Sequence, residues 1–95
     1  MGYAILVSDE VKAFLRGLDS KSRRICKTNL AKLANPYPGR GPGDKEKITF
    51  KGEEMYRLHI SRAWTAFYFI FEKDKTIKVA DLMPIDIAHK KYGSL

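Results

Sequence analysis

The segment from Met55 to Ser61 alternates strictly: Tyr56, Leu58 and Ile60 fall on one side, and Arg57, His59 and Ser61 on the other. That period of two predicts a strand sealing a core with one face and presenting a cation, an imidazole and a hydroxyl on the other. After a short connection at Arg62-Ala63, the next segment, Trp64 to Phe71, hardly alternates. Apolar residues on both faces predict a central strand covered from two sides. Thr76 to Leu82 reads as a further strand after a turn at Asp74-Lys75, and Lys45 to Lys51 as an earlier one, turning at Gly52-Glu53. The short apolar run Met1 to Val7 predicts an N-terminal strand.

Between the N-terminal strand and the later ones the period changes to that of a helix. Val11, Phe14, Leu15 and Leu18 form one apolar stripe, with Ser8 as N-cap and Asp9-Glu10 in the first turn. Asp19-Ser20 breaks it and caps a second helix, expected over Lys21 to Ala34. Its buried stripe is Ile25, Cys26, Leu30 and Leu33, and Lys21, Arg24, Lys27, Thr28 and Lys32 lie outside. Pro36 ends it. Residues 36–43 (Pro-Tyr-Pro-Gly-Arg-Gly-Pro-Gly) form a loop without the Walker spacing or its Lys-Ser/Thr ending, which excludes a nucleotide P-loop. Ile85 to Tyr92 is expected to add one or two helical turns. The fold expected is α+β: an N-terminal strand, an antiparallel helical hairpin on one face, and a mostly antiparallel curved sheet with a short C-terminal helix or tail. Three consecutive strands after the helices, joined by the N-terminal one, are expected to build that sheet, and residues 1–95 to form one domain.

Composition narrows the chemistry. Hydrophobic residues make up 44% of the 95 and aromatics 12%, which is a folding composition. Eighteen Lys and Arg against 11 Asp and Glu give +7, favouring anionic partners, either nucleic acid or an acidic protein. Cys26 is the single cysteine; no intramolecular disulfide is possible, which fits a cytoplasmic protein. The N-terminal run has neither the cationic lead of a signal peptide nor the length of a membrane span.

Two histidines, with no carboxylate at ligand spacing, give no metal site, and nothing suggests a small-molecule cofactor. No nucleophile elbow supports a Ser-His-Asp hydrolase. RNA backbone cleavage asks for a different set: cations against the phosphate, and His or Tyr to move protons, with no metal required. Arg57 and His59 on one strand face, Arg62 beyond them, and a closing His89-Lys90-Lys91-Tyr92 supply those residue types.

Helix-helix-loop, Gly52-x-x-x-Tyr56-Arg57-Leu58, an aromatic strand, Asp81-Leu82-Met83-Pro84 and a closing His89-x-x-Tyr92-Gly93 resemble the RelE/ParE toxin superfamily over nearly the whole chain. The closing motif is most like RelE-type members, particularly archaeal ones. The resemblance implies a toxin of a type II toxin–antitoxin pair with a cognate antitoxin as partner. It further implies ribosome-dependent, metal-free cleavage of mRNA by 2′-OH attack. Arg57 and His59 match basic positions of that family's strand, and Tyr92 and His89 match C-terminal ones. The arginine usual at the start of the next strand is replaced by Trp64-Thr65-Ala66, with Arg62 slightly early, and Ile85-Asp86-Ile87 stands where another arginine is often found. These departures leave a ParE-like gyrase inhibitor or a catalytically weakened homologue as the alternative. On the leading reading Arg57, His59, Arg62, His89 and Tyr92 are catalytic, and Lys21, Arg24, Lys27, Lys47, Lys51, Lys90 and Lys91 hold RNA.

Overall fold

A computed structural model describes residues 2–39 and 43–93. The order is β1 (Ala4–Val7), α1 (Asp9–Arg16), α2 (Ser20–Leu30), a 3-10 turn at Ala31–Ala34, β2 (Lys45–Phe50), β3 (Glu53–Ile60), β4 (Trp64–Phe71), β5 (Thr76–Pro84) and α3 (Ile85–Tyr92). The strands form one sheet in the order β1-β5-β4-β3-β2. β2 to β5 are an antiparallel meander, and β1 lies parallel to β5. Four consecutive strands follow the helices, not three, because the whole of Lys45–Phe50 pairs with β3.

The caps fall where the sequence puts them. Ser8 Oγ accepts from the Val11 N–H at 3.2 Å and donates to the Ala80 carbonyl at 3.0 Å, so one hydroxyl caps α1 and ties it to β5. Asp19 caps α2 by accepting from the Ser22 N–H. Arg23 reaches back from α2 to the carbonyls of Leu15, Arg16 and Leu18, satisfying acceptors left open where α1 ends. The second helix tightens into its 3-10 turn after Leu30, so the α-helical part is shorter than the expected Lys21–Ala34. Met1 of the expected N-terminal strand lies outside the described residues, and pairing begins at Ala4. So do residues 40–42 of the expected loop.

The sheet has two apolar faces. Leu58, Ile60, Ala66, Tyr68, Ile77, Val79 and Leu82 face α1 and α2, meeting Val11, Leu15, Cys26, Leu30 and Leu33 in the main core. Ile48, Met55, Phe67 and Met83 face the other way and are covered by Ala88 and Tyr92 of α3. β4, in the middle, is buried on both sides as its pattern predicts: Phe67 is 1% exposed and Tyr68 0%.

Two irregularities aim the side chains. The β2–β3 turn is Lys51-Gly52, with φ of 52° and 80°, one residue ahead of the expected Gly52-Glu53. Two consecutive positive φ values give the turn the twist that flanking strands prefer. It places Glu46 directly opposite Arg57. In β5 a bulge at Ala80 lets Phe67 pair with Asp81 while Tyr68 pairs with Val79. Below the bulge Ile77 and Val79 face the helical hairpin; above it Asp81 and Met83 face α3.

Away from α3, Glu72 gathers three separate segments of the chain. It accepts from Tyr3 at 2.7 Å and from Tyr37, and pairs with Lys75, which joins β1, the loop after α2 and the β4–β5 turn. The bond from Lys75, then those from Tyr37 and Tyr3, lower the Glu72 carboxyl from 4.5 to about 2. A depressed carboxyl stabilises the fold fully above its unfolded value and loses that contribution as pH falls through the folded one. Thermal melts should therefore show Glu72→Gln flattening the loss of Tm between about pH 4.5 and pH 2 relative to wild type; an unchanged slope would show that these bonds do not couple to folding.

Candidate functional site

Arg57 stands in β3 with Glu46 of β2 on one side and Phe67 of β4 on the other. It is only 8% exposed. Its Nε donates to Glu46 Oε2 at 2.7 Å, and Nη2 lies against the same oxygen. His59 is the next residue on this face. Its backbone N–H donates to the Asp44 carbonyl at 2.8 Å, and its Nε2 is 3.9 Å from Glu46 Oε1. Thr65, buried, is its partner across the sheet. The expected polar face therefore exists, but it is no open platform: α3 covers part of it, and its aromatics are spent on packing.

Tyr92 shows how. Its ring stacks on Phe67 at 4.0 Å between centroids and tilts against Phe50 at 4.6 Å. Its hydroxyl donates to Asp81 Oδ2 at 2.5 Å, and Lys91 Nζ is 3.0 Å from the same oxygen. Burial, and then the Asp81 carboxylate, push the Tyr92 hydroxyl well above the ordinary tyrosine value. Near neutrality it is a bound, uncharged donor. The group anchors α3; it does not present a ring to a nucleobase in this conformation.

The other expected residues are dispersed. Arg62 is exposed in the β3–β4 turn, whose Ala63 carbonyl accepts from the Ile85 N–H at 2.9 Å and so fixes the start of α3 beside it. His89 and Lys90 are exposed on α3. Lys51 occupies the β2–β3 turn with Nζ 5.3 Å from the Phe50 ring centroid. Lys47 is on the opposite face of β2, across from Tyr56, and pairs with Glu54 at 3.3 Å. Lys21, Arg24 and Lys27 are exposed on α2, behind the sheet as seen from Arg57. A groove of about 350 Å³ also lies on that side, lined by Ile5, Val7, Leu15, Leu30 and Ala31, with Lys12 and Lys27 at its rim.

The structure thus joins Arg57, His59 and, through Phe67, Tyr92, and separates the α2 cations from them. Glu46 and Asp81 are the members that sequence reasoning missed. Glu46 could have been found from the two-residue turn, which fixes its register against Arg57; Asp81 depends on a bulge with no such local signal. Chemically the cluster offers a fixed cation, an imidazole able to move a proton and a carboxylate able to accept one. Among the described residues no group of three or more His, Cys, Asp or Glu is arranged to hold a metal ion. No helix among them is long and apolar enough to cross a membrane.

No protein-family model matches the chain, and no curated protein matches it by sequence. Solved structures do match it by shape. RelE in the archaeal RelE–RelB complex from Pyrococcus horikoshii is 25% identical, with a TM-score of 0.70 over 88% of this chain and 96% of that one. The RelBE2 toxin–antitoxin complex from Mycobacterium tuberculosis gives 0.73 at 10% identity, over 88% and 99%. The intact RelBE complex from E. coli gives 0.55 at 17%, over 85% and 94%. By its fold the chain is a RelE-like member of the RelE toxin superfamily, its described residues forming three α-helices and a five-stranded, mostly antiparallel sheet.

Removing the Tyr92 hydroxyl while keeping its ring should loosen α3 without unfolding the sheet. Tyr92→Phe is expected to cost about 1.5 kcal/mol in denaturant unfolding, the scale of a hydrogen bond to a charged group. Amide exchange should quicken in α3 and stay slow in β4; equal protection of α3 in both proteins would remove the anchoring role.

Proposed function

We propose that this chain is the toxin of a type II toxin–antitoxin pair and acts in the cytoplasm as a ribosome-dependent mRNA endoribonuclease. The observation that carries the reading is the Arg57–His59 pair on the α3 face of a RelE-like sheet. In the proposed step a ribose 2′-OH attacks the adjacent phosphorus and loses its proton. The bond to the 5′-oxygen breaks, that oxygen takes up a proton, and a 2′,3′-cyclic phosphate remains. Arg57, with Arg62 from the neighbouring turn, stabilises the charge gathering on the phosphate. His59 or His89 moves the protons. Tyr92 holds α3 in place, and would reach a base or a proton only after leaving Asp81.

Lys90 and Lys91 on α3, and Lys51 at the β2–β3 turn, extend the cationic surface around this face. Lys47 and the α2 row of Lys21, Arg24 and Lys27 give a second, salt-sensitive surface for ribosomal RNA on the far side. The antitoxin partner follows from the solved relatives, three of which are complexes with one. An acidic, amphipathic segment suits both the Arg57 face and the apolar groove between Lys12 and Lys27.

A second reading is a binding toxin, ParE-like and directed at gyrase, that cuts nothing. Two observations favour it: Glu46 already occupies Arg57, and Trp64-Thr65-Ala66 stands in the region where the family usually has an arginine. Cleavage of a reporter message on programmed ribosomes separates the two. The nuclease reading expects wild type to cut in the A-site codon and Arg57→Ala to slow the cut by about a hundredfold, as for one lost transition-state donor. An intact message with wild-type protein, together with gyrase binding, would give the case to the second reading.

A further inference from the structure

We propose that Glu46 occupies, in the free protein, the place an RNA phosphate takes on Arg57, so that the chain carries its own competitor for the substrate anion. The inference rests on the proposed nuclease reading and adds to it how the site is kept closed. One carboxylate oxygen, Glu46 Oε2, meets both Nε and Nη2 of the guanidinium, the edge with which arginine grips a phosphate. The Arg57 side chain is 10% exposed and that of Glu46 is 46%. The cation is therefore fixed, and the anion is the partner free to swing away. Glu46 sits on β2, which is an edge strand of the sheet among the described residues.

The other oxygen strengthens the case. Glu46 Oε1 is 3.9 Å from His59 Nε2, so the same carboxylate lies against both groups the reaction would use. A phosphate reaching Arg57 displaces it from both at once. Exchange of one anion for another on a fixed cation is cheap compared with desolvating a bare arginine, and the site need never be left unpaired. The cost is affinity: every phosphate must outcompete a tethered carboxylate. A short RNA free in solution does so poorly. A message held on a ribosome, presented at high effective concentration, does so readily.

An ordinary cross-strand ion pair, there only to hold β2 to β3, would look the same but behave differently. The test uses a fluorescein-labelled 2′-O-methyl RNA hexamer, which cannot be cleaved, and follows binding by anisotropy across a salt series. Glu46→Gln should bind about tenfold more tightly than wild type, a modest share of the repulsion between two like charges a few ångströms apart. The log–log salt slope should steepen by about 0.7, the increment for one more neutralised phosphate on a single strand. In an Arg57→Ala background the same change should alter affinity less than twofold. Glu46→Ala serves as the second variant, because a glutamine oxygen can still accept from Arg57; thermal melts confirm that each protein is folded. Equal or weaker binding by both Glu46 variants would overturn the proposal. So would the same gain without Arg57, which would mark a general charge effect. Because the hexamer is never cut, these outcomes do not depend on whether wild type cleaves a message on ribosomes.

Discussion

Phe67 and Tyr68 are neighbours in the middle strand, point to opposite faces, and are both excluded from water. A sheet whose central strand is apolar on both sides must be covered on both sides, since leaving either ring exposed would forfeit on the order of 2 kcal/mol. The chain meets the two demands unequally. α1 and α2 close one face with a continuous core. Among the described residues the other face receives only α3, eight residues long, which buries Ala88 and Tyr92. The openness of the candidate site follows from that shortage. Arg57 and His59 share the half-covered face, next to a small helix held by the Tyr92 ring against Phe67 and Phe50, by Tyr92 and Lys91 on Asp81, and by the Ile85 N–H on the Ala63 carbonyl.

Two carboxylates organise that face in a chain whose net charge is +7. Glu46 holds Arg57 and stands near His59; Asp81 holds Lys91 and Tyr92. Much of the site's positive charge is thus matched internally, which keeps a basic surface folded and orders its cations. The bulge at Ala80 makes the second arrangement possible, because without it Asp81 would follow Val79 into the main core. It would then lie away from Lys91 and Tyr92, which hold it on the α3 face. The carbonyl of that bulged residue is not wasted, since Ser8 donates to it and so locks α1 to the same spot.

Local pattern carried most of the fold. The two caps, the double-sided β4 and the helical turns from Ile85 to Tyr92 were legible because each depends on residues a few positions apart. What local pattern could not supply was pairing. Placing the β2–β3 turn one residue late would set Ile48 opposite Arg57 in place of Glu46, so a small error in the turn hides the ion pair. Tyr92 was legible as a candidate from the closing motif but not as an anchor, since its partners Phe67 and Asp81 lie on other elements. The α2 cations were legible as an exposed row; that they lie behind the sheet required the topology.

The central claim is that the α3 face, and not the cationic row of α2, holds the single-stranded message. Chemical-shift mapping of the uniformly 15N-labelled protein against a short single-stranded RNA tests it most directly. The largest amide shifts should fall on Glu46, Arg57, His59, Thr65 and α3, with α1 and α2 nearly still. Shifts concentrated on Lys21, Arg24 and Lys27, with β3 unmoved, would contradict the account.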